Sequence, residues 1–216
     1  MGSPNSKRMA EDRNSAIQWA RDLIQRTDWF IWDTETTGLK QTGKNLEQFD
    51  EIIQIGIVDS EGNTVFESLL NPVKRRISQE AKLVHGIELS MLKNAPTFDK
   101  ILPILKDKIS GKDVVVYNAE FEQQMFIQTS AKFFKMGQFE GLDLKDFRFD
   151  MICAMKEYSK FIGEWNDHFQ DYKYQKLPKA SHNVIGDCLA TLELIKFMAN
   201  SELSEIPASW WKRLFS

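Results

Sequence analysis

Residues 28–39 read DWFIWDTETTGL. Trp29, Phe30, Ile31 and Trp32 predict the buried half of a β-strand, because aromatic and β-branched side chains suit a pleated, packed surface. The strand is expected over about 29–35 and ends in the turn-prone TTGLK. Asp33 and Glu35 stand two apart, so on a strand both carboxylates fall on one face. Two like charges partly buried side by side are costly unless a cation or a basic group compensates. Alone, the stretch leaves two readings open: a solvated strand end where Asp, Thr and Gly make a turn, or a pair of acids kept for a cation.

Outward from this stretch the pattern is α/β. Residues 11–27 predict a helix with Ala16, Ile17, Ala20, Leu23 and Ile24 on one face. EIIQIGIVDS and TVFESLLN predict a second and third strand joined by the turn EGN, with Asn71-Pro72 as the stop. Ser78 caps a short helix closed at His85-Gly86, and Thr97 caps another that runs to Ile109. DVVVYN reads as a strand buried on both faces. A helix from Ala119 to Phe134 follows, turning Phe121, Met125, Phe126 and Ala131 inward. A weaker strand is expected around Phe147–Asp150, a helix from Met151 to about Phe161, and irregular chain in GEWNDHFQDYKYQKLPKA. The last helix is expected from Asn183 or Val184 to about Asn200. Three strands in meander order, then strands alternating with helices, predict a mixed sheet flanked by helices. The expected organisation is a disordered or tag-like 1–10, one domain over 11–200, and a tail at 201–216.

The 216 residues include 28 Lys and Arg against 31 Asp and Glu, a formal net charge of −3. That balance excludes a globally basic nucleic-acid binder but allows local basic patches, or cations that reverse the sign of an acidic site. Cys153 and Cys188 have no zinc-ligand spacing, and the reading is free thiols in a reducing cytoplasm. No apolar run reaches membrane-spanning length, so no membrane partner is expected.

Three further features join the strand-end acids. VVVYNAEFEQQMF delivers Asn118 from a strand and then Glu120 and Glu122 on a helix. SHNVIGDCLATLELI places His182 five residues ahead of Asp187, an acid on an otherwise apolar helix face. HGI at 85–87 lies after the third strand.

With these in order, the chain resembles the DnaQ-like, DEDD-type 3′→5′ exonucleases of the ribonuclease H-like superfamily, in the histidine-bearing branch. DTETTGL matches the first family motif, YNAEFE stands where the second falls, and HNVIGD fits the spacing of the third. The resemblance runs from Trp29 to about Ala199 and implies a ribonuclease H-like mixed five-stranded sheet. It implies hydrolysis of phosphodiesters with two divalent cations, Mg²⁺ or Mn²⁺, which suit carboxylate oxygens. By the resemblance, Asp33, Glu35 and Asp187 hold the ion that activates water, Asp33 bridges to a second ion, Glu122 serves that second ion, and His182 is the general base. Backbone at Thr36 and Thr37, with Leu39, His85 and Asn118, is implied in contacts to the terminal nucleotide.

The pattern departs from the family at the second motif, which usually has Asp where this chain has Glu122, and often His where it has Tyr117. Glu122 then reaches its ion by a re-aimed rotamer or without a bridging water, or the site prefers Mn²⁺, or Glu120 contributes. Expected substrates are single-stranded 3′ ends, DNA favoured over RNA by analogy with proofreading and repair members. The alternatives are an RNA 3′-end trimming enzyme and a nucleic-acid-binding module with weakened catalysis. Candidate phosphate and stacking contacts are Lys40, Lys44, Lys74, Arg75 and Arg76, and Tyr172, Lys173, Tyr174, Lys176 and Lys179 ahead of His182, with an ordinary solvated loop as the competing reading. A polymerase or repair partner is expected in trans; Trp210, Trp211, Lys212 and Arg213 either fold back on the domain or meet a partner.

Overall fold

The computed structural model describes residues 6–39, 49–73, 75–135 and 151–204. The elements in chain order are α1 (Ser6–Ile24), β1 (Trp29–Thr36), β2 (Ile52–Asp59), β3 (Thr64–Leu69), α2 (Gln79–His85), α3 (Leu89–Leu92) and α4 (Phe98–Ile109). They continue with β4 (Asp113–Val116), α5 (Ala119–Lys135), β5 (Met151–Cys153), α6 (Ala154–Ile162), β6 (Trp165–Asn166), β7 (Asp171–Tyr172) and α7 (Val184–Ala199). The main sheet has five strands in the order β3-β2-β1-β4-β5. β2 is antiparallel to both β1 and β3, whereas β4 runs parallel to β1 and β5. This is the mixed sheet expected, with β1 at its centre.

Alternation along β1 divides the core between the two faces of the sheet. Trp29 and Ile31 pack with Ile17 and Ala20 of α1 and with Cys188, Leu192 and Ile195 of α7. Trp32 points the other way, into Phe98, Leu102 and Leu105 of α4 and Met125, Phe126 and Phe133 of α5. Burying each large apolar side chain contributes about 1.5–3 kcal/mol, so the first half of β1 is anchored on both faces. A smaller cluster of Ile53, Ile77, Ile87 and Leu92 seats α3 and the chain around His85 beside β2.

Several boundaries differ from the sequence reading. α1 starts at Ser6, so residues 6–10 are helical rather than a disordered lead-in. It is tied down from outside: Tyr172 OH donates to Asp12 Oδ2 at 2.8 Å, and the Arg13 guanidinium lies 4.6 Å from the centre of the Phe161 ring. Met151–Cys153, expected to open a helix, is the strand β5, and that helix starts at Ala154. The strand expected at Phe147–Asp150 lies outside the described residues, as do Lys40, Lys44, Lys74 and the segment with Trp210, Trp211, Lys212 and Arg213. The stretch expected to be irregular holds the β6–β7 hairpin, whose Trp165 and Tyr172 rings pack edge to face at 5.3 Å. Thr97 occupies the cap position of α4, but its hydroxyl donates to Asp99 Oδ1 instead of accepting a backbone N–H. Residues 201–204, placed in a tail, are fastened to α1 through Arg21 Nη2 to Ser201 O at 2.9 Å and Ser204 N to Asn14 Oδ1 at 2.7 Å. Both cysteines are free. Among the described residues no helix is long and apolar enough to cross a membrane.

Candidate active site

β1 carries Asp33 and Glu35 out of the core on the face that α7 covers. Opposite Asp33 on β2 stands Gly56. A Cβ there would sit 2.7 Å from Val184 Cγ2, so the missing side chain is what lets the start of α7 rest on the strand. Asn183 caps α7 by accepting from Gly186 N at 3.1 Å. One residue later Asp187, in the first turn of α7, faces the end of β1. Carboxylate oxygens of Asp33, Glu35 and Asp187 all lie within 4.8 Å of one another. Asp187 Oδ1 is aimed by Ser181, whose N–H donates to it at 2.6 Å and whose hydroxyl lies at 3.2 Å.

The electrostatics mark this cluster as uncompensated. Burial, then repulsion from Glu122, Asp187 and Glu35, drives the Asp33 carboxyl well above the ordinary carboxylate range. Burial, with repulsion from Asp187, lifts Glu35 to about 7. None of the ion pairs among the described residues involves Asp33, Glu35 or Asp187. An all-oxygen donor set with excess negative charge, unpaired with any basic side chain among the described residues, fits a hard divalent cation such as Mg²⁺ or Mn²⁺.

Glu122 reaches the same strand from its other face. Its Oε2 accepts from Trp32 Nε1 at 3.1 Å and from Thr34 Oγ1 at 2.8 Å, both on the α5 side of β1. Burial raises it to about 8 against these two stabilising bonds, and Glu35 adds repulsion. Its carboxylate is therefore in electrical contact with the Asp33 cluster but outside the close group of three. Glu120 is exposed, on the far side of the helix.

His182 is exposed in the turn before α7 with φ +56, a backbone conformation uncommon for a residue with a Cβ. It lies close enough to His85 for its charge to help lower the His85 pKa, after the larger effect of burial. His85 Nδ1 accepts from Ile87 N at 2.9 Å, which leaves Nε2–H to donate to Thr36 O at 3.2 Å. Thr36 and Thr37 are buried and internally engaged: Thr36 Oγ1 donates to Gly38 O at 2.8 Å, and Thr37 N donates to Glu51 O at 2.8 Å. The Thr37 amide is thus already engaged within the fold. Leu39 beside them is 78% exposed. Asn118 makes a helix-capping bond, its Oδ1 accepting from Phe121 N at 3.3 Å.

Of the expected loop cations, Lys173 and Lys179 pair with Glu164 and Glu193 at 4.0 and 2.8 Å. Tyr172 is buried in the hairpin, Tyr174 is exposed, and Arg75 and Arg76 are exposed. The sequence reading gave no supporting role to three groups: Ser181, Thr34 and Tyr117, the last noted only as a departure from the family pattern. Tyr117 OH donates to Gln175 O at 2.7 Å and so ties the chain leading to His182 to the end of β4. Its unusual place in YNAEFE was a usable signal; nothing local marked Ser181 or Thr34.

Comparison with known proteins agrees with this geometry. The family model RNase_T, described as exonuclease, matches residues 30–195. The uncharacterized exonuclease CP81 of Escherichia phage 186 is 31% identical over 199 residues, covering 85% of this chain and 92% of that protein. The DNA polymerase III epsilon subunit of Escherichia coli K12 is 38% identical over 101 residues, 44% of this chain and 40% of its own. A PolC-type DNA polymerase III from Caldanaerobacter subterraneus is 29% identical over 86% of this chain, which spans 12% of that larger protein. Among solved structures, exonuclease X in complex with 5′-overhanging duplex DNA aligns with a TM-score of 0.50 at 23% identity, over 81% of this chain and 95% of that one. The nuclease domain of 3′hExo, a DEDDh family member bound to rAMP, aligns with a TM-score of 0.51 at 16% identity, over 82% of this chain and 96% of that one. At those identities the structural likeness speaks for the fold. This chain belongs to the RNase_T exonuclease family, as a DnaQ-like exonuclease on the ribonuclease H-like fold.

Proposed function

We propose that this exonuclease removes nucleoside monophosphates from the 3′ ends of single-stranded DNA, with two divalent cations, Mg²⁺ or Mn²⁺, bound at the end of β1. The observation that carries the reading is the convergence of Asp33, Glu35 and Asp187 within 4.8 Å, with no ion-pair partner among the described residues. Bound divalent ions supply two things there: a nucleophile from water near neutral pH and neutralisation of the phosphoryl charge. Asp33, Glu35 and Asp187 would hold these ions together with Glu122. His182 takes the proton of the attacking water, a task that suits imidazole. Its place on an exposed turn, beside His85 and ahead of the Asp187 helix, supports that role. Leu39 and His85 border the terminal nucleotide, with Asn118 at the start of α5. Residues 11–200 form the exonuclease domain, to which the first turn of α1 adds residues 6–10. A polymerase or repair protein would act with it in trans, and the chain works in the cytoplasm.

A second reading, a nucleic-acid-binding module with weakened catalysis, is favoured by one observation: Trp32 and Thr34 hold Glu122 outside the close group of three. One assay separates them. Purified protein is given a 5′-labelled single strand, as DNA and as RNA, with Mg²⁺ or Mn²⁺ and a chelator control. Stepwise shortening blocked by EDTA and by a 3′ phosphate supports the enzyme, and comparison of the two sugars decides the substrate. Binding without shortening, or shortening from the 5′ end, overturns it.

A further inference from the structure

α5 does a second job, three turns beyond Glu122. Lys132 is a buried lysine, 2% exposed, paired at 2.9 Å with Glu51 Oε1, itself 1% exposed. Its Nζ also donates to Phe49 O at 2.7 Å. The other Glu51 oxygen accepts from Val73 N at 2.9 Å, so the pair joins α5 to two separate stretches of chain. Two neighbours on the same helix act alongside it. Gln128 Nε2 donates to Asp50 O at 2.6 Å, and Thr129 Oγ1 accepts from Ile52 N at 3.0 Å.

The segment 49–52 gripped in this way is the one that holds the turn after Glu35. Thr37 Oγ1 donates to Asp50 Oδ1 at 2.7 Å and accepts from Glu51 N at 3.0 Å, while Thr37 N donates to Glu51 O at 2.8 Å. A Cβ on Gly38 would lie 2.7 Å from Asp50 Oδ2, so the carboxylate closes directly over the backbone of the turn. From the opposite side Ser78 N donates to Thr37 O at 2.8 Å, and His85 reaches Thr36 O. The ion pair therefore lies one hydrogen bond away from Thr37, in the turn that leads to Leu39.

From this we infer that Lys132 and Glu51 are positioning residues for the nucleotide-binding turn Thr36–Leu39, setting how the 3′-terminal nucleotide is held without touching it. A pair of charges buried only to stabilise the fold is a poor device, because well-packed apolar residues of similar volume do as well or better. What the pair adds is direction: Lys132 fixes a backbone carbonyl and a carboxylate, and the carboxylate fixes the Val73 amide. A shift of about 1 Å in a positioning element can cost about 100-fold in reactivity. The inference rests on the exonuclease reading above.

The test compares Lys132→Met, the conservative Lys132→Arg, the paired Lys132→Met/Glu51→Met, and Phe133→Leu. The paired variant avoids an orphaned buried carboxylate and so guards against failure to fold. Phe133→Leu is a cavity control on the same helix, in the apolar core. Two readouts are taken: KM and kcat on a single-stranded oligonucleotide, and hydrogen-exchange protection of the Thr37, Glu51 and Ser78 amides. Expected are a KM raised about tenfold or more in the Met variants with kcat within about threefold, partial recovery in Lys132→Arg, and faster exchange at Thr37 and Glu51. Phe133→Leu should leave KM and those amides as in the parent. Unchanged KM and protection in the paired variant, or equal changes in Phe133→Leu, overturn the inference. If the parent protein shortens no strand, the exonuclease reading fails, and the exchange data alone decide whether the pair sets the turn.

Discussion

Thr34 Oγ1 donates to Glu122 Oε2 at 2.8 Å, so the residue between Asp33 and Glu35 on β1 reaches back through the strand to anchor the fourth acid. A glutamate here is long enough to meet both Thr34 and Trp32. An aspartate, shorter by one methylene, would be released from one or both.

Glu122→Asp is therefore expected to keep or raise nuclease activity, whereas Asp33→Ala and Asp187→Ala abolish it. Thr34→Val removes one of two donors to a buried carboxyl and should cost about 1–3 kcal/mol of stability. Nuclease rates with Mg²⁺ and Mn²⁺, with urea unfolding of each variant, check these outcomes. An Asp33→Ala protein that degrades DNA like its parent would show that the site lies elsewhere.

The metal-free protein should lose stability as pH rises. Glu35 and Glu122 are lifted from 4.5 to about 7 and about 8 in the fold, so the folded chain binds more protons than the unfolded chain across those windows. Their contribution is complete below the unfolded pKa and declines as pH rises through the folded one. In EDTA the melting temperature should fall between about pH 4.5 and pH 8, and Mn²⁺ should restore most of it at the upper end. A melting temperature that climbs across that interval in chelator would contradict the burial of these acids.

His182→Ala should slow nucleotide release by about 100- to 10,000-fold, the range for loss of a general base, with metal-induced stabilisation retained. The pairing of a rate assay with a metal titration of melting temperature is what distinguishes a lost base from a lost ligand.

How much of this could be read from the residues depended on distance along the chain. β1 announces itself because a continuous aromatic and β-branched run leads into two acids spaced by the strand period. Asp187 stands out because it lies on an otherwise apolar face of its helix. β5, β6 and β7 have three, two and two residues, too few for a period to show, so 151–153 read as a helix start and 165–172 as irregular chain, while the helix that follows β5 is legible. Glu122 was placed correctly on its helix, but its anchors lie 88 and 90 residues away, beyond any local pattern. The same holds for Lys132 and Glu51, which read as ordinary charged residues until the fold buries them.

Gly56→Ala should be among the most damaging substitutions of a residue with no chemistry. The added methyl meets Val184 at 2.7 Å, and overpacking of this kind costs about 1–3 kcal/mol. Activity should fall further than stability alone explains, because displacing α7 moves Asp187. Adding Val184→Ala should recover part of both, measured by melting temperature and nuclease rate on the single and double variants.

Alternation on β1 has a metrical consequence. Asp33 and Glu35 meet the α7 carboxylate on one face, while Thr34 and Trp32 meet the α5 carboxylate on the other. The gap between the two helix-borne acids is therefore gauged by the pleat of a single strand. Peptide geometry sets the thickness of that strand, and the seating of α7 and α5 against its two faces sets the rest.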